Sequence, residues 1–540
     1  MKMNHSHNPL ILYRKLMEHK IITTLLSITL FCLLASCSDL SVGNLEELNQ
    51  NPHASETLNP NHMFTNAQLS GVTVNWGHAH LMYGQSMQFF STYFEIPARG
   101  DKFFVESGAR GHWGVYTNAL HQVDQVMRHT TEPEDINKHS AARIWKVYLF
   151  HQLTDLHGDV PYSEALKSQD DLITPRYDTQ EDIYIDMLNE LEEAANAFNS
   201  SHPTFGSSDL FYNGNIAQWQ RFAYSMMLRL GMRLTEVRPD LAEEYVTKAI
   251  NGGVILDDSD ITMINYTGSG TVAERSPKAE FMLNIDYRDP QANRLNREGG
   301  KYAETFIEHL KDTEDPRLSV VAVVWVDNPD GGQPEVIYDT TPEIQRGMPN
   351  GQYGSLPDYY QEFSEPHPNT VLNTDSPVLV MTNAETNLLL AEASIRGWYA
   401  GSAEEAYNEA VRAGMRQWEL FGDEGTISEA AIEEYLVNNP YMSGGTFDQR
   451  LEQISIQKWT SLFLDFYEIF ANWRRTGYPE LIPPNYPGNL TGGQIPRRNI
   501  IPDSEINLNE QNFMEALNRQ GVGNDLLSSV WWDPMFPGNQ

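Results

Sequence analysis

The sequence predicts a mostly α-helical fold: an array of helical hairpins carrying an irregular, loop-rich lobe. Three observations predict it. Apolar residues recur at three- and four-residue spacing from Met63 to Ile250 and again from Asn383 to Trp473, the period of a buried helix face. Between them, residues 252–380 switch to short β-branched runs such as "RLSVVAVVWV" among Gly, Pro, Asn and Asp. In "NAETNLLLAEASIRGWYAGSAEEAYNEAVRAGM", small residues fall where two antiparallel helices would touch.

The chain opens on a basic stretch, Arg14, Lys15 and Lys20, followed by an uncharged apolar run from Ile21 to Leu34 and the small pair Ala35-Ser36. A charged start, an apolar middle and a small-residue end form the pattern of an export signal. The run is shorter than the ~20 residues a spanning helix needs. Met17, followed by Glu18-His19-Lys20, makes a more ordinary signal start than Met1. Both cysteines of the 540 residues lie here, Cys32 inside the apolar run and Cys37 directly after the small pair. "LASC" is similar to the lipobox of bacterial lipoproteins, which implies that residues 1–36 are a signal peptide and that Cys37 becomes a lipidated N-terminus. No disulfide framework is then possible in the mature chain.

Residues 37–62 read as a polar, Asn- and Pro-rich tether, and residues 63–540 as the folded domain. Within it, residues 63–251 and 381–476 form the helical scaffold, 252–380 an irregular insertion and 477–540 a loop-rich tail. Long helices are expected over Met63–Tyr93 and His112–His129. Further ones are expected at Ala141–Asp155, Thr179–Phe198, Ala217–Val237 and Leu241–Ile250, punctuated by "HGDVP", "NSSHPTFGSS" and "NGG". Helices resume at Asn383–Gly397, Ser402–Trp418, Ser428–Leu436 with Ser428 as N-cap, and Leu451–Trp473. Ala391, Ala393, Gly397, Ala406 and Ala410, with Leu390 and Tyr407 as knobs, make the pair at 383–418 similar to a tetratricopeptide hairpin. No strict 34-residue period runs through the chain.

Charge excludes one class of partner. With 37 Lys+Arg against 73 Asp+Glu, the formal charge is −36, and phosphate backbones are repelled. Removing residues 1–36 takes Lys2, Arg14, Lys15 and Lys20 but only one acid, Glu18, and leaves the rest more acidic. Attachment to an anionic membrane therefore needs the lipid at Cys37. At 40% hydrophobic and 11% aromatic content, the chain can bury a large core.

No catalytic constellation is legible. G-x-S-x-G, H-E-x-x-H, Walker and EF-hand spacings do not occur. "GSGTVA" at 268–273 fits a dinucleotide pattern, yet Pro277 and the charges after it deny it a clean helix. "DLHGDVPYSEA" gathers Asp155, His157, Asp159 and Glu164, but reads as a helix exit. Gly158 suits a left-handed turn and Pro161 forbids continuation. "LDDSD" at 256–260 reads as a solvated loop. In "QKWTSLFLDFYEIFANWRRTGYP", Trp459, Phe463, Phe466, Phe470 and Trp473 form a core stripe, and Arg474-Arg475 complement the helix end and can meet buried carboxylates. Neither cofactor nor metal is expected.

Several segments together resemble the SusD/RagB family of nutrient-binding outer-membrane lipoproteins, in its second SusD-like subgroup. They are "NLEELNQNPHAS", "RIWKVYLFHQLTDLHGDVPYSEAL", "WQRFAYSMMLRLGMRL", "RGMPNG", "TNAETNLLLAEASIRG", "EQISIQKWTSLFLDFYEIFANWRRTGYP" and "IPRRNIIPDSE", in family order. The resemblance implies tetratricopeptide-like hairpins with a ligand-binding lobe. It also implies a lid on a TonB-dependent (SusC-like) transporter that captures oligosaccharides or other nutrients outside the cell. These are scaffold motifs and leave the ligand open. Sugar capture uses aromatic faces with polar flanks. On that ground Trp76, Trp113, Tyr287 and Trp325 are the candidate contacts, with Asn75, Arg99 and Asp101 beside them. A protein-protein adaptor on the same helices and a surface glycan hydrolase are the competing readings.

Overall fold

The computed structural model describes residues 58–74, 76–93, 100–104, 111–285, 300–331, 336–355, 357–484 and 486–539. Cys37, Asn75, Arg99 and Tyr287 lie outside them. The fold is mostly helical, and residues from Pro60 onward form one unit.

The first half stacks helices in chain order: α1 (Pro60–Thr73), α2 (Trp76–Ala79), α3 (His121–Arg128), α4 (Ile136–His157), α5 (Gln180–Ala197), α6 (Ile216–Arg233) and α7 (Pro239–Gly252). From α4 to α7 each helix packs on the next. Caps set the entries: Thr179 accepts the N–H of Asp182 and Asn215 that of Gln218. The exit of α4 is the helix end expected from "HGDVP", with Gly158 at φ +79° and β2 (Val160–Pro161) pairing with β3 (Tyr177–Asp178).

Residues 252–380 are less irregular than their composition suggests. They hold α8 (Pro277–Ile285), α9 (Glu304–Asp312) and the short α10 (Leu318–Val321). They also supply β6 (Ala322–Asp327), the centre strand of a small sheet between β7 (Val336–Asp339) and β8 (Glu365–Pro366). The strand β4 (Thr262–Ile264) pairs with β9 (Val378–Met381), and β1 (Phe90–Ser91) with β5 (Lys301–Tyr302), so the two ends of the segment pair with each other and its middle pairs with the scaffold. Short helices such as α9 were hidden among turn residues because only Phe306, Ile307 and Leu310 need burial.

The second helical half comprises α11 (Asn383–Ile395), α12 (Ala403–Arg416), α13 (Glu429–Asn438), α14 (Phe447–Ser461) and α15 (Phe466–Thr476). The pair α11/α12 is the hairpin read from its small residues, with Ala391, Ala393, Ala406 and Ala410 all buried. Ser428 caps α13 as expected, accepting from Ala431 N–H. Two expected helices are broken. Leu464 takes φ +82° and splits 451–473 into α14 and α15. Met63–Tyr93 is interrupted between α1 and α2 and ends in a π-turn at His80–Gly84. The expected helix His112–His129 begins as a 3₁₀ and a π turn before α3. The tail adds α16 (Asp503–Leu508) and α17 (Glu510–Gln520).

One core runs from Phe64 to Trp532, and Trp459, Phe463, Phe466 and Phe470 belong to it, as the stripe implied. Inside it a chain of ions ties the halves together. Arg229 of α6 grips Glu385 of α11 at 2.9 and 2.5 Å, and Arg233 of α6 meets Glu468 of α15 at 2.5 Å. Lys458 of α14 reaches Glu468 at 2.7 Å, and Arg475 of α15 holds Glu392 of α11 at 2.6 and 2.7 Å. Among the described residues, no helix is long and apolar enough to cross a membrane.

Candidate functional site

Four irregular segments converge at the β1–β5 pair: 85–93, 100–103, 346–355 with 357–363, and 482–484 with 486–490. Their junction is fixed by hydrogen bonds rather than by a helix. Ser91 Oγ donates to Pro349 O at 2.8 Å and Asn350 Nδ2 to Phe90 O at 2.9 Å. Gln88 Nε2 donates to Ile482 O at 2.5 Å and Leu490 N–H to Phe103 O at 3.1 Å. Gly351, at φ +75°, allows the closest approach: a Cβ there would stand 2.6 Å from Pro484 Cβ.

Beneath the junction lies a buried ion pair. Asp101 and Lys102 are 0% and 1% exposed, with Nζ 3.0 Å from the carboxylate. Asp101 also accepts the Thr92 N–H at 2.9 Å, and Lys102 donates to Thr92 O at 2.7 Å. A buried pair costs desolvation and is tolerable only when its remaining hydrogen-bonding capacity is met, as it is here. It locks Thr92 and thereby the following residue, Tyr93.

Above it sits a group of tyrosines. Tyr353 is 53% exposed and meets Tyr486 edge-on at 5.4 Å. Tyr359 is 45% exposed, with the Arg346 guanidinium 4.9 Å from its ring. Tyr93 stands edge-on to buried Tyr360 at 5.6 Å and donates to Gln352 Oε1 at 3.4 Å. Partial burial, with Tyr359 nearby, raises the Tyr93 phenol above its ordinary range, so it stays a neutral donor. Lys301 lies 4.7 Å over Tyr360 and pairs with Glu365, which also accepts from Trp325 Nε1 at 3.2 Å. Exposed rings flanked by a guanidinium and a carboxamide can stack on the C–H faces of a sugar and hydrogen-bond its hydroxyls.

The residues singled out from sequence are scattered. Trp76 is a correction: it is 6% exposed, donates its indole N–H to Leu464 O at 3.2 Å and is walled by His80, Phe281 and Phe466. Its ring is turned into the core rather than presented on the surface. Asp101 is also a correction in role, being a fully buried support rather than a contact. Trp113 lies apart from the tyrosines, half-buried against His157 and Tyr116, on a groove of about 540 Å³. Trp325 is half-buried in β6, edge-on to its cross-strand partner Tyr338, and is linked to the site through Glu365. The tyrosines themselves were missed. Their signal was "NGQYGSLPDYY", aromatics inside a turn-rich run that offers no helix face to bury them. Among the described residues, no group of three or more His, Cys, Asp or Glu could hold a metal ion.

A family model for SusD-like proteins, described as "Starch-binding associating with outer membrane", matches residues 52–502. Among solved structures, a chitin-binding protein is 32% identical with a TM-score of 0.75, over 88% of this chain and 100% of its own. A Bacteroidetes SusD-like protein, AC2a, is 26% identical with a TM-score of 0.77, over 88% and 100%. A SusD homologue from Bacteroides uniformis shares the fold at 24% identity and a TM-score of 0.70, over 88% and 100%. No curated protein matches the sequence. On the family match across residues 52–502 and the helical architecture it accompanies, the chain belongs to the SusD-like family, outer-membrane-associated binding proteins rather than enzymes.

Proposed function

We propose that this protein captures oligosaccharides at the outer surface of the cell on the tyrosine platform and delivers them to a TonB-dependent transporter of the SusC type. The lipid attached at Cys37 would hold it to the outer membrane. The observation that carries the reading is the exposure of Tyr353 and Tyr359 beside a junction that Ser91 and Asn350 tie to β1 by hydrogen bonds. Rigid rings lose little entropy on binding, so weak stacking contacts can add up along an extended sugar chain. The 32%-identical chitin-binding protein supports a β-linked N-acetylglucosamine polymer as the first ligand to try, with starch second.

Affinity electrophoresis of the mature protein through gels carrying soluble chitin or starch tests the binding step. Retardation by one polymer, without release of shorter products, is expected. Free migration through a broad polysaccharide panel would sink the sugar reading. For delivery, co-purification from outer membranes with a TonB-dependent barrel is expected, and Cys37→Ser should move the protein from the membrane to the soluble fraction.

A further inference from the structure

The loop after β2 divides two open cavities. One, of about 370 Å³, lies against α3, α4 and α5, and the other, of about 540 Å³, is the groove at Trp113. Ala165, Leu166 and Lys167 line both, so this stretch is the ridge between them. No lining residue of either belongs to the segments that carry the tyrosines.

The ridge is firmly built. Leu166 and Asp171 hold φ at +62° and +64°, a region that side chains disfavour, around a 3₁₀ turn at Ser168–Asp170. Glu164 accepts the N–H and Nε–H of Arg176 at 2.9 and 2.7 Å, closing the base of the loop. Arg128 of α3 reaches Asp170 at 3.1 Å, and Asn509 and Asn512 of the tail donate to Pro175 O and Thr174 O at 2.8 and 3.0 Å. Backbone strain held in place by its surroundings clusters at ligand clamps.

The smaller cavity has an apolar floor of Leu120, Phe150 and Ile183, with charges of both signs around it. Lys146 stands over the Tyr162 ring at 5.1 Å, and Asp182 and Asp186 lie one turn apart on α5. Among the described residues none of these three forms an ion pair. Asp186 accepts the Tyr162 hydroxyl and Asp182 that of Thr179, both at 2.6 Å, which leaves each carboxylate with free lone pairs. Opposite charges that share a cavity without touching leave room for a group that serves both. A neutral sugar ring does so: its hydroxyls donate to carboxylates and accept from an ammonium, while its C–H face meets the floor. The excess of aspartates, with Asp124 and Asp178 also on the wall, disfavours anionic ligands. In the larger cavity Trp113 and Tyr116 supply ring surface, and exposed Thr117, His121 and Gln169 supply a polar rim.

We infer that the two cavities form a second sugar site, which takes a neutral oligosaccharide with one unit against Trp113 and Tyr116 and a neighbouring unit between Lys146 and Asp186. The inference rests on the sugar reading proposed above and not on the tyrosine platform, which lies on other segments.

Calorimetry of the Tyr353→Ala/Tyr359→Ala double variant with triacetylchitotriose and maltotriose, and with trigalacturonate as the anionic control, tests it. One neutral trisaccharide should still bind, and trigalacturonate should not. Adding Lys146→Met, which keeps an apolar stem over Tyr162, should weaken that binding about tenfold. Adding Thr117→Trp instead, at an exposed position on the rim, should abolish it. A wild-type protein that binds a trisaccharide while the double variant binds none would overturn the second site and leave the sugar reading standing. Binding in the double variant that survives both added substitutions would overturn it as well. Silence of the wild type toward every sugar would remove the second site together with the sugar reading.

Discussion

Trp76 and Tyr353 show why an aromatic residue cannot be assigned from its type. Trp76 is a candidate sugar contact by type, yet its environment is Phe281, Phe466 and His80. Its truncation to alanine opens a core cavity, and we expect a loss of about 3–5 kcal/mol, read as a lower denaturant midpoint. Sugar retardation by the remaining folded protein should be unchanged. Tyr353 and Tyr359 behave oppositely. Alanine at either should leave Tm within a degree or so of wild type, since surface substitutions change stability little. Each should weaken glycan binding about tenfold, the equivalent of ~1.4 kcal/mol of stacking. Calorimetry on the polymer that retards the protein in gels checks both. Unchanged affinity in the double variant would remove the platform from consideration.

Among the elements, the helices that were legible are those whose apolar period runs uninterrupted. The boundaries of α5, α7, α11 and α12 lie close to those the periodicity implied, because caps such as Thr179, Thr382 and Ser402 are local hydrogen bonds. Breaks inside a continuous apolar pattern were not legible. At Leu464 the pattern continues while the backbone turns to φ +82°, because α15 must pack on α4 as well as on α14. What holds α15 in place is the Arg475–Glu392 pair, in which Arg396 also reaches Glu392 at 3.0 Å. Burial alone would raise the Glu392 carboxyl, but Arg475 and Arg396 outweigh it and bring it down to about 2. Glu392→Gln leaves a buried guanidinium under-compensated, and we expect destabilisation of about 3–5 kcal/mol, measured by chemical denaturation. A loss below 1 kcal/mol would show that the pair contributes register only.

For the whole molecule, the buried histidines set the response to acid. His78 and His112 sit far below their ordinary 6.5, chiefly through burial, and His151 and His157 are also pushed well down. Between about pH 6.5 and 4 the unfolded chain therefore binds more protons than the folded one, so stability falls as pH drops. Glu392 adds to the loss as pH falls from 4.5 toward 2. Asp465, raised to about 6 mainly by burial, acts the other way between 6 and 3.8, as do Asp155 and Asp159, also raised by burial, but these three are outnumbered by the four buried histidines and Glu392. Calorimetric scans should show Tm level near neutrality and declining steadily from about pH 6.5 downward. A Tm that rises on acidification to pH 5 would contradict the neutral, buried state of these rings.

By itself the sequence determined the helical class, the strongly acidic charge and the family. Each rests on local spacing, composition or ordered motifs, which survive without knowledge of contacts. The tertiary structure alone decided which aromatics are core and which are exposed, and that Asp101 supports a site it does not touch. It also decided that Ala165, Leu166 and Lys167 stand between two cavities. Those facts depend on segments hundreds of residues apart meeting, such as Gln88 with Ile482 and Asn512 with Thr174. No periodicity along the chain records such a meeting.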